Sequence, residues 1–178
     1  MSKVLIAMSG GVDSAVAAHL VKSAGHDVIG ATMKLYCPDQ KLHPDENGMM
    51  VGDEMEDARA VARLVEIEHT VLNYEHEFRS LVVDSFVFEY ENAKTPNPCV
   101  VCNRTLKFGK MMEAAEEYGA DFLATGHYAR IERDGNGRCL LRRAADPTKD
   151  QSYVLYMLTQ AQLSKIMFPL GEYSKAQA

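Results

Sequence analysis

Lys3-Val-Leu-Ile-Ala-Met-Ser-Gly-Gly-Val-Asp-Ser14 is the stretch on which the fold turns. Lys3 to Met8 is a short apolar run of the kind that fills a buried strand. Gly10 and Gly11 follow, and then Val16, Leu20 and Val21 recur at helical spacing up to Gly25, which can stop a helix. The order is strand, tight loop, helix.

Working outward, the same alternation continues. Val28 to Met33 is a second strand candidate, and Cys37 to Asp53 is polar, proline- and glycine-bearing and without period, which predicts a mobile loop. Glu54 to Val65 has Ala58, Val61, Ala62 and Val65 on one helical face, and His69 to Leu72 is strand-like. Glu77 to Ala93 predicts a helix that Thr95-Pro-Asn-Pro98 ends, and Arg104 to Tyr118 predicts another that Gly119 stops. Asp121 to Thr125 is a further buried strand, and Ala129 to Arg133 and Arg138 to Arg143 flank Asp134-Gly-Asn-Gly137, a hairpin signal. A last helix is expected around Gln160 to Met167. Strands alternating with helices over short connections predict an α/β fold with a parallel sheet covered by helices on both faces, plus a small β-hairpin and a C-terminal helical extension. Such sheets bind ligands beyond the carboxyl ends of their strands, where every motif below falls.

The bulk properties agree with one globular unit: 178 residues, 47% of them hydrophobic, are enough for a sizeable core. No stretch approaches the roughly 18 to 20 apolar residues of a membrane span, and no signal-peptide core follows Met1, so a cytoplasmic protein is the expectation, with no membrane partner. Four cysteines, at 37, 99, 102 and 139, are few and unevenly spaced for a disulfide framework. A net charge of -6 argues against a protein that coats nucleic acid nonspecifically, though not against a local basic site.

The loop Ser9-Gly-Gly-Val-Asp-Ser14 carries the first chemistry. Gly10 and Gly11 allow positive φ and close approach of backbone to a phosphate, so loop and helix N–H groups could cradle a pyrophosphate with the Ser9 and Ser14 hydroxyls as extra donors. Asp13 is odd for an anion site unless it holds Mg²⁺ or orients the loop. The bland reading is a Gly-Gly turn capped by Asp13 or Ser14. No Gly-Lys-Ser/Thr follows, so the loop is not a Walker A motif.

Thr95-Pro-Asn-Pro-Cys-Val-Val-Cys-Asn-Arg104 carries the second: a proline-bounded turn with two thiols three apart. A structural zinc wants four ligands, and no second Cys-x-x-Cys or His pair is present. A thioredoxin-like redox pair would stand in a different fold context. The remaining reading is a reactive cysteine whose thiolate is stabilised by the N-terminus of a helix starting near Arg104 and by Arg104 and Lys107.

The six residues SGGVDS resemble the signature loop of N-type ATP pyrophosphatases, of the adenine nucleotide alpha hydrolase-like fold, which split ATP to AMP and pyrophosphate while adenylating a substrate. With Met33-Lys34, TPNPCVVCN, Lys107-Phe-Gly109, ATGHYAR and Lys149-Asp-Gln-Ser-Tyr153 they occur in the order seen in bacterial tRNA-specific 2-thiouridylases, and together they span nearly the whole chain. The resemblance implies an adenylating domain over residues 1–145 and, over 146–178, the truncated start of a linker and tRNA-binding region. It implies that Ala7, Met8, Ser9, Gly10, Gly11, Val12, Asp13, Ser14, Met33 and Gly126 contact ATP, with Mg²⁺. Asn97, Pro98 and Cys99 would approach the target base, His127, Lys149, Asp150 and Gln151 would contact tRNA, and Cys102 would be the catalytic thiol. The implied reaction is adenylation of the wobble uridine at its 2-oxygen, followed by replacement of that oxygen with persulfide sulfur supplied by a cysteine desulfurase relay.

Two departures qualify the resemblance. Some members carry Asp at position 99, proposed there as a general base, where this sequence has Cys99. The family's second catalytic cysteine, which carries the persulfide, and its further tRNA-binding domains lie beyond Ala178; Cys37 and Cys139 do not occupy the missing position. An iron–sulfur cluster at this site would want a third thiol. His19, His26, His43, His69 and His76 show no metal spacing and read as structural or surface residues. Met49, Met50 and Met55 could cover the ATP site or simply pack, and Arg138, Arg142, Arg143 and Lys149 read as a solvated face or a phosphate track. The alternatives are a non-catalytic ATP-binding fragment and another adenylating enzyme, such as an amidotransferase-linked synthetase, which leaves the thiol loop unexplained.

Overall fold

The structure, a computed structural model, describes residues 1–35, 43–44 and 50–178. The expected mobile loop from Cys37 to Asp53 therefore lies largely outside the described residues, as do Cys37 and Met49. Two short strands inside that range, β3 (His43–Pro44) and β4 (Met50–Val51), pair antiparallel.

The first strand, β1 (Lys3–Ala7), sits in the middle of a five-stranded parallel sheet. β2 (Asp27–Lys34) and then β5 (Glu68–Asn73) lie to one side of it, β6 (Phe122–Ala124) and β9 (Ile166–Met167) to the other. The registers Val4↔Val28 and Val4↔Phe122 fix β1 against both neighbours. The chain builds outward from β1 through β2 to β5 and then crosses back to β6, so connections leave β1 and β6 in opposite directions. That topological switch opens a crevice at their carboxyl ends.

Both faces of the sheet are covered, and β1 shows how. Val4, Ile6 and Met8 point to one side and pack with Ala17, Ala18 and Val21 of α1 (Val12–Ser23) and with Ala58 and Ala62 of α2 (Asp53–Val65). Leu5 points to the other side, where Phe108, Met111, Ala115 and Leu123 enclose it. The alternation follows the two-residue period of a strand. A continuous apolar run results because both faces are buried. Gly25, at φ 83°, ends α1 where the sequence placed the stop.

After β5 a continuous helical stretch over residues 75–91 comprises α3 (Glu75–Phe78), a π segment (Arg79–Val83) and α4 (Asp84–Glu91). The second helical stretch, over residues 98–117, comprises α5 (Pro98–Cys102), a π segment (Asn103–Lys110) and α6 (Met111–Glu117). It thus begins six residues before Arg104, the expected start. Asn97 explains why: its side-chain oxygen accepts from Val100 N–H at 3.3 Å, with Pro98 in the first helical position.

The hairpin forms as read, β7 (Ala129–Arg133) against β8 (Cys139–Arg143), with Asp134 Oδ1 accepting from the N–H of Asn136 and of Arg138, each at 2.9 Å. The last expected helix is shortened to α7 (Gln160–Leu163), capped by reciprocal Thr159 and Gln162 hydrogen bonds. Ile166 and Met167 leave it to form the edge strand β9, so the segment after residue 145, expected as the start of a linker, supplies a strand of the main sheet. A β-branched and an apolar residue beside the Leu123–Ala124 edge gain more by pairing and burial than by one more helical turn. Among the described residues no helix is long and apolar enough to cross a membrane.

Candidate functional site

The crevice between β1 and β6 holds a cavity of about 210 Å³. One wall is the first motif: Ala7, Met8, Ser9, Asp13 and Ser14. The facing wall is Thr125, Gly126, His127 and Gln151, with Met33, Lys107 and Met111 completing the enclosure. This volume lies below the roughly 300 to 1,000 Å³ of pockets that bury a whole small molecule, so it can enclose only part of a larger ligand. A larger cavity of about 640 Å³ lies by Leu20, Val21 and Ala24 near the end of α1, and none of the expected site residues lines it. The smaller cavity is the one at the strand carboxyl ends, with polar groups converging on it.

Two glycines make this geometry. Gly10 has φ 79°, and a Cβ there would strike the Glu54 carbonyl oxygen of α2. At Gly126 a Cβ would lie 3.0 Å from Asp13 C and 3.1 Å from Ser14 N, so the chain after β6 can touch the first turn of α1 only without a side chain.

The loop is braced internally. Ser14 Oγ donates to Gly11 O at 2.8 Å and accepts from Ser9 N–H at 3.2 Å, so its one proton serves the loop rather than a ligand. Gly11 caps α1 without a side-chain hydrogen bond, which removes the reading of Asp13 or Ser14 as a cap. The first-turn amides of α1 therefore receive no hydrogen bond from a side-chain cap, which leaves them available to an anion.

A second brace escaped the sequence reading. Thr32 Oγ1 donates to Met8 O at 2.8 Å and lies 2.8 Å from His69 Nε2. Because the hydroxyl proton is spent on Met8, the proton of the second contact sits on Nε2, and His69 donates to Thr32. Burial, aided by the Arg59 charge, holds the His69 pKa down to about 4. A histidine read as structural thus fixes the carbonyl that opens the loop. The register Gly30↔His69 sets the ring on the face of β2 that Gly30 shares with Thr32, a pairing of β2 with β5 that the linear order of residues does not display.

Asp13 is the acid of the cavity. Its Oδ1 accepts from Tyr128 OH at 2.8 Å and from Lys175 Nζ at 2.5 Å. Burial alone would raise its pKa, but hydrogen bonds from Lys175 and Tyr128 and the charges of Lys175 and Lys149 bring it below the usual carboxylate value. Tyr128 is pushed the other way, to about 12, by burial and by this carboxylate.

His127 is 7% exposed, hydrogen-bonded through Nδ1 to Thr125 Oγ1 at 2.8 Å and flanked by Phe108 and Phe168. Burial and then the charge of Lys107 lower its pKa to about 3. The ring forms part of the cavity wall. In the following turn Asp150 is likewise turned inward: Oδ1 accepts from Ala144 N–H at 2.9 Å and Oδ2 from Ser152 Oγ at 2.8 Å. Gln151 Oε1 accepts from Tyr128 N–H at 3.0 Å. Lys149, by contrast, is exposed.

None of the described thiols lines the cavity. Cys99 is exposed in the first turn of α5, Cys102 is half-buried at its end, and Cys139 is buried in β8. The expectation of a thiolate stabilised by a helix N-terminus near Arg104 is corrected here, because Cys102 is the fifth residue of a helix that runs on. Burial raises the Cys102 pKa, opposed by the Lys107 charge, while Cys99 adds to the rise. Lys107, which lines the cavity and acts on both Cys102 and His127, joins the two halves of the site electrostatically. Among the described residues no group of three or more His, Cys, Asp or Glu could hold a metal ion.

Residues 2–178 match the family model described as the tRNA methyl transferase HUP domain. Over 178 residues the chain is 48% identical to the tRNA-specific 2-thiouridylase MnmA of Lachnoclostridium phytofermentans and 50% identical to that of Halothermothrix orenii. Each match covers 99% of this chain but 50% and 49% of the relative, so the chain spans about half the length of the curated relatives it matches. A solved structure titled as a predicted subunit of tRNA methyltransferase from Methanocaldococcus jannaschii superposes with a TM-score of 0.56 at 17% identity, covering 99% of this chain and 72% of that one, which is a likeness of fold.

Proposed function

Because this chain belongs to the tRNA methyl transferase HUP domain family, we propose that it carries the adenylating half of an ATP-dependent tRNA 2-thiolation. The observation that carries the reading is the crevice itself: an uncapped helix N-terminus behind a glycine loop, shared with a wall from which Lys107 leads to Cys102. In this reading the nucleotide sits on Ala7 to Ser14, with Met33 and Gly126 at its sides. The uridine 2-oxygen attacks the α-phosphate, a P–O bond forms as the bond to pyrophosphate breaks, and the base is left esterified to AMP at C2. The terminal sulfur of a persulfide carried on a second thiol then attacks C2 and AMP departs with the original oxygen; the Cys102 thiolate attacks the inner sulfur, the S–S bond to the base breaks, and the 2-thio base is left beside a disulfide between the two thiols.

The role of each group follows from its surroundings. First-turn N–H groups of α1 and the lysines near the loop offset the phosphate charge. Asp13 fits a Mg²⁺ that takes most of its ligands from phosphate and water, since a single carboxylate suffices for that ion in such sites. Neutral His127 offers a face and a nitrogen to the base or the nucleotide without adding charge. Cys102 is protonated at neutral pH, and Lys107 is the group that favours its thiolate. Exposed Tyr153 and Tyr156, four and seven residues after exposed Lys149, offer stacking surface and a cation of the kind that single-stranded RNA uses. Persulfide supply from a cysteine desulfurase relay belongs to the same proposal, as does a second thiol from the remainder of the longer relatives' length.

The test is release of AMP and pyrophosphate from ATP upon addition of unmodified tRNA, with tRNA lacking a wobble uridine as control. Tight ATP binding without AMP release under any condition would favour the second reading, a nucleotide-binding fragment, for which the half-length match to the relatives speaks.

A further inference from the structure

The contact between Asp13 and Lys175 joins residues 162 positions apart at the rim of the crevice. We infer that Lys175 is a phosphate ligand, held over the SGGVDS loop by Asp13 and handed to the polyphosphate when a nucleotide arrives. The inference rests on the nucleotide reading of the crevice and names a further ligand within it.

Lys175 is not a wandering surface lysine. Its backbone N–H donates to Asp146 Oδ2 at 3.1 Å, and Ala145 N–H donates to Gly171 O at 2.8 Å, so the segment that carries it is tied to the turn after β8. Ser174 N–H and Oγ both meet Gln177 Oε1, at 2.9 and 3.0 Å, which fixes the backbone immediately around it. The ammonium is thereby delivered to a carboxylate in the first turn of α1, where a phosphate would sit. Lys149 lies close enough to act on the same carboxylate, so two cations converge here on a chain whose net charge is -6.

The pair is built for exchange. Its side chains are 42% and 40% exposed, and exposed ion pairs contribute little to stability, so parting them costs little. Asp13 keeps the Tyr128 hydroxyl when Lys175 turns away, so its position does not depend on the lysine. A polyphosphate on the loop offers several negative oxygens to Lys175 in place of the one it leaves. The competing explanation is an ion pair that merely fastens the last segment to α1. The two differ in ligand dependence: a fastener affects stability and all ligands alike, whereas a phosphate ligand separates ATP from adenosine.

The experiment is calorimetric titration of the chain with ATP and with adenosine, for wild type, Lys175→Met and Lys175→Arg. The expected result is about a tenfold or greater loss of ATP affinity in Lys175→Met, adenosine unchanged within about twofold, and substantial recovery in Lys175→Arg. Equal changes for both ligands, or none, would overturn the assignment. A second measurement needs no variant: ATP, but not adenosine, should protect Lys175 of the wild type from acetylation, read by mass spectrometry. Labelling that ignores ATP overturns the assignment, and wild type that binds neither ligand overturns the nucleotide reading beneath it.

Discussion

His127 should make this protein acid-sensitive in a way that one substitution can isolate. Its ring is buried between Phe108 and Phe168, and its pKa is held down to about 3, whereas in the unfolded chain it titrates near the ordinary value of about 6.5. Between those values the unfolded chain binds a proton that the folded chain refuses. Stability is therefore full above about pH 6.5 and falls as pH drops toward 3. At about pH 5 the gap is some 1.5 units below the unfolded pKa, and at about 1.4 kcal/mol per unit the loss is ~2 kcal/mol. His69, held to about 4, adds a loss of the same sign and, at about pH 5, of similar size, because both folded values lie below that pH. Urea unfolding followed by circular dichroism at about pH 7 and pH 5 measures the total, and with typical slopes ~2 kcal/mol moves the midpoint by about 1 M. The comparison is His127→Gln: carboxylates and His69 titrate in both proteins and cancel in the difference. Wild type should lose ~2 kcal/mol more than the variant over that interval. Equal losses in the two would refute the claim that the imidazole is buried neutral.

Three other perturbations are informative. Gly126→Ala places a methyl group about 3 Å from the Asp13 and Ser14 backbone, so it should abolish nucleotide binding by calorimetry while far-ultraviolet circular dichroism keeps its shape. Thr32→Val leaves both Met8 O and His69 Nε2–H without their partner and should cost ~1–3 kcal/mol in urea unfolding, with weakened ATP binding. In thiol alkylation near neutral pH read by mass spectrometry, Cys99 should label first, Cys102 more slowly and Cys139 last, and Lys107→Ala should slow Cys102 further by removing the charge that favours its thiolate.

Several parts of this molecule were legible in the residues because they are local. A buried strand, a glycine loop and a helix announce themselves within twenty positions, and so do the Asp-Gly-Asn-Gly hairpin and the Gly25 and Gly119 stops. The helix over 98–117 was read late by six residues because proline was taken as a boundary, while Asn97 uses Pro98 to begin the helix. That shift changed the chemistry as well, since it moved Cys102 away from the helix N-terminus and left burial to govern its pKa. The edge strand β9 was read as helix because two apolar residues after Gln160 to Leu163 carry no period of their own.

The order of strands, loop glycines and thiols along the chain determined the fold class and the motifs that an adenylating site would use, since each is set by backbone preferences of neighbouring residues. What those motifs surround was decided only in three dimensions. Thr32 reaches Met8 and His69 across two strands, Gly126 meets Asp13 across the β1–β6 crevice, and Lys175 meets the same aspartate from the far end of the chain. Hydrogen bonds and charges act over a few ångströms of space whatever the distance along the chain, so sheet order and packing, not sequence neighbourhood, settle which groups share a proton.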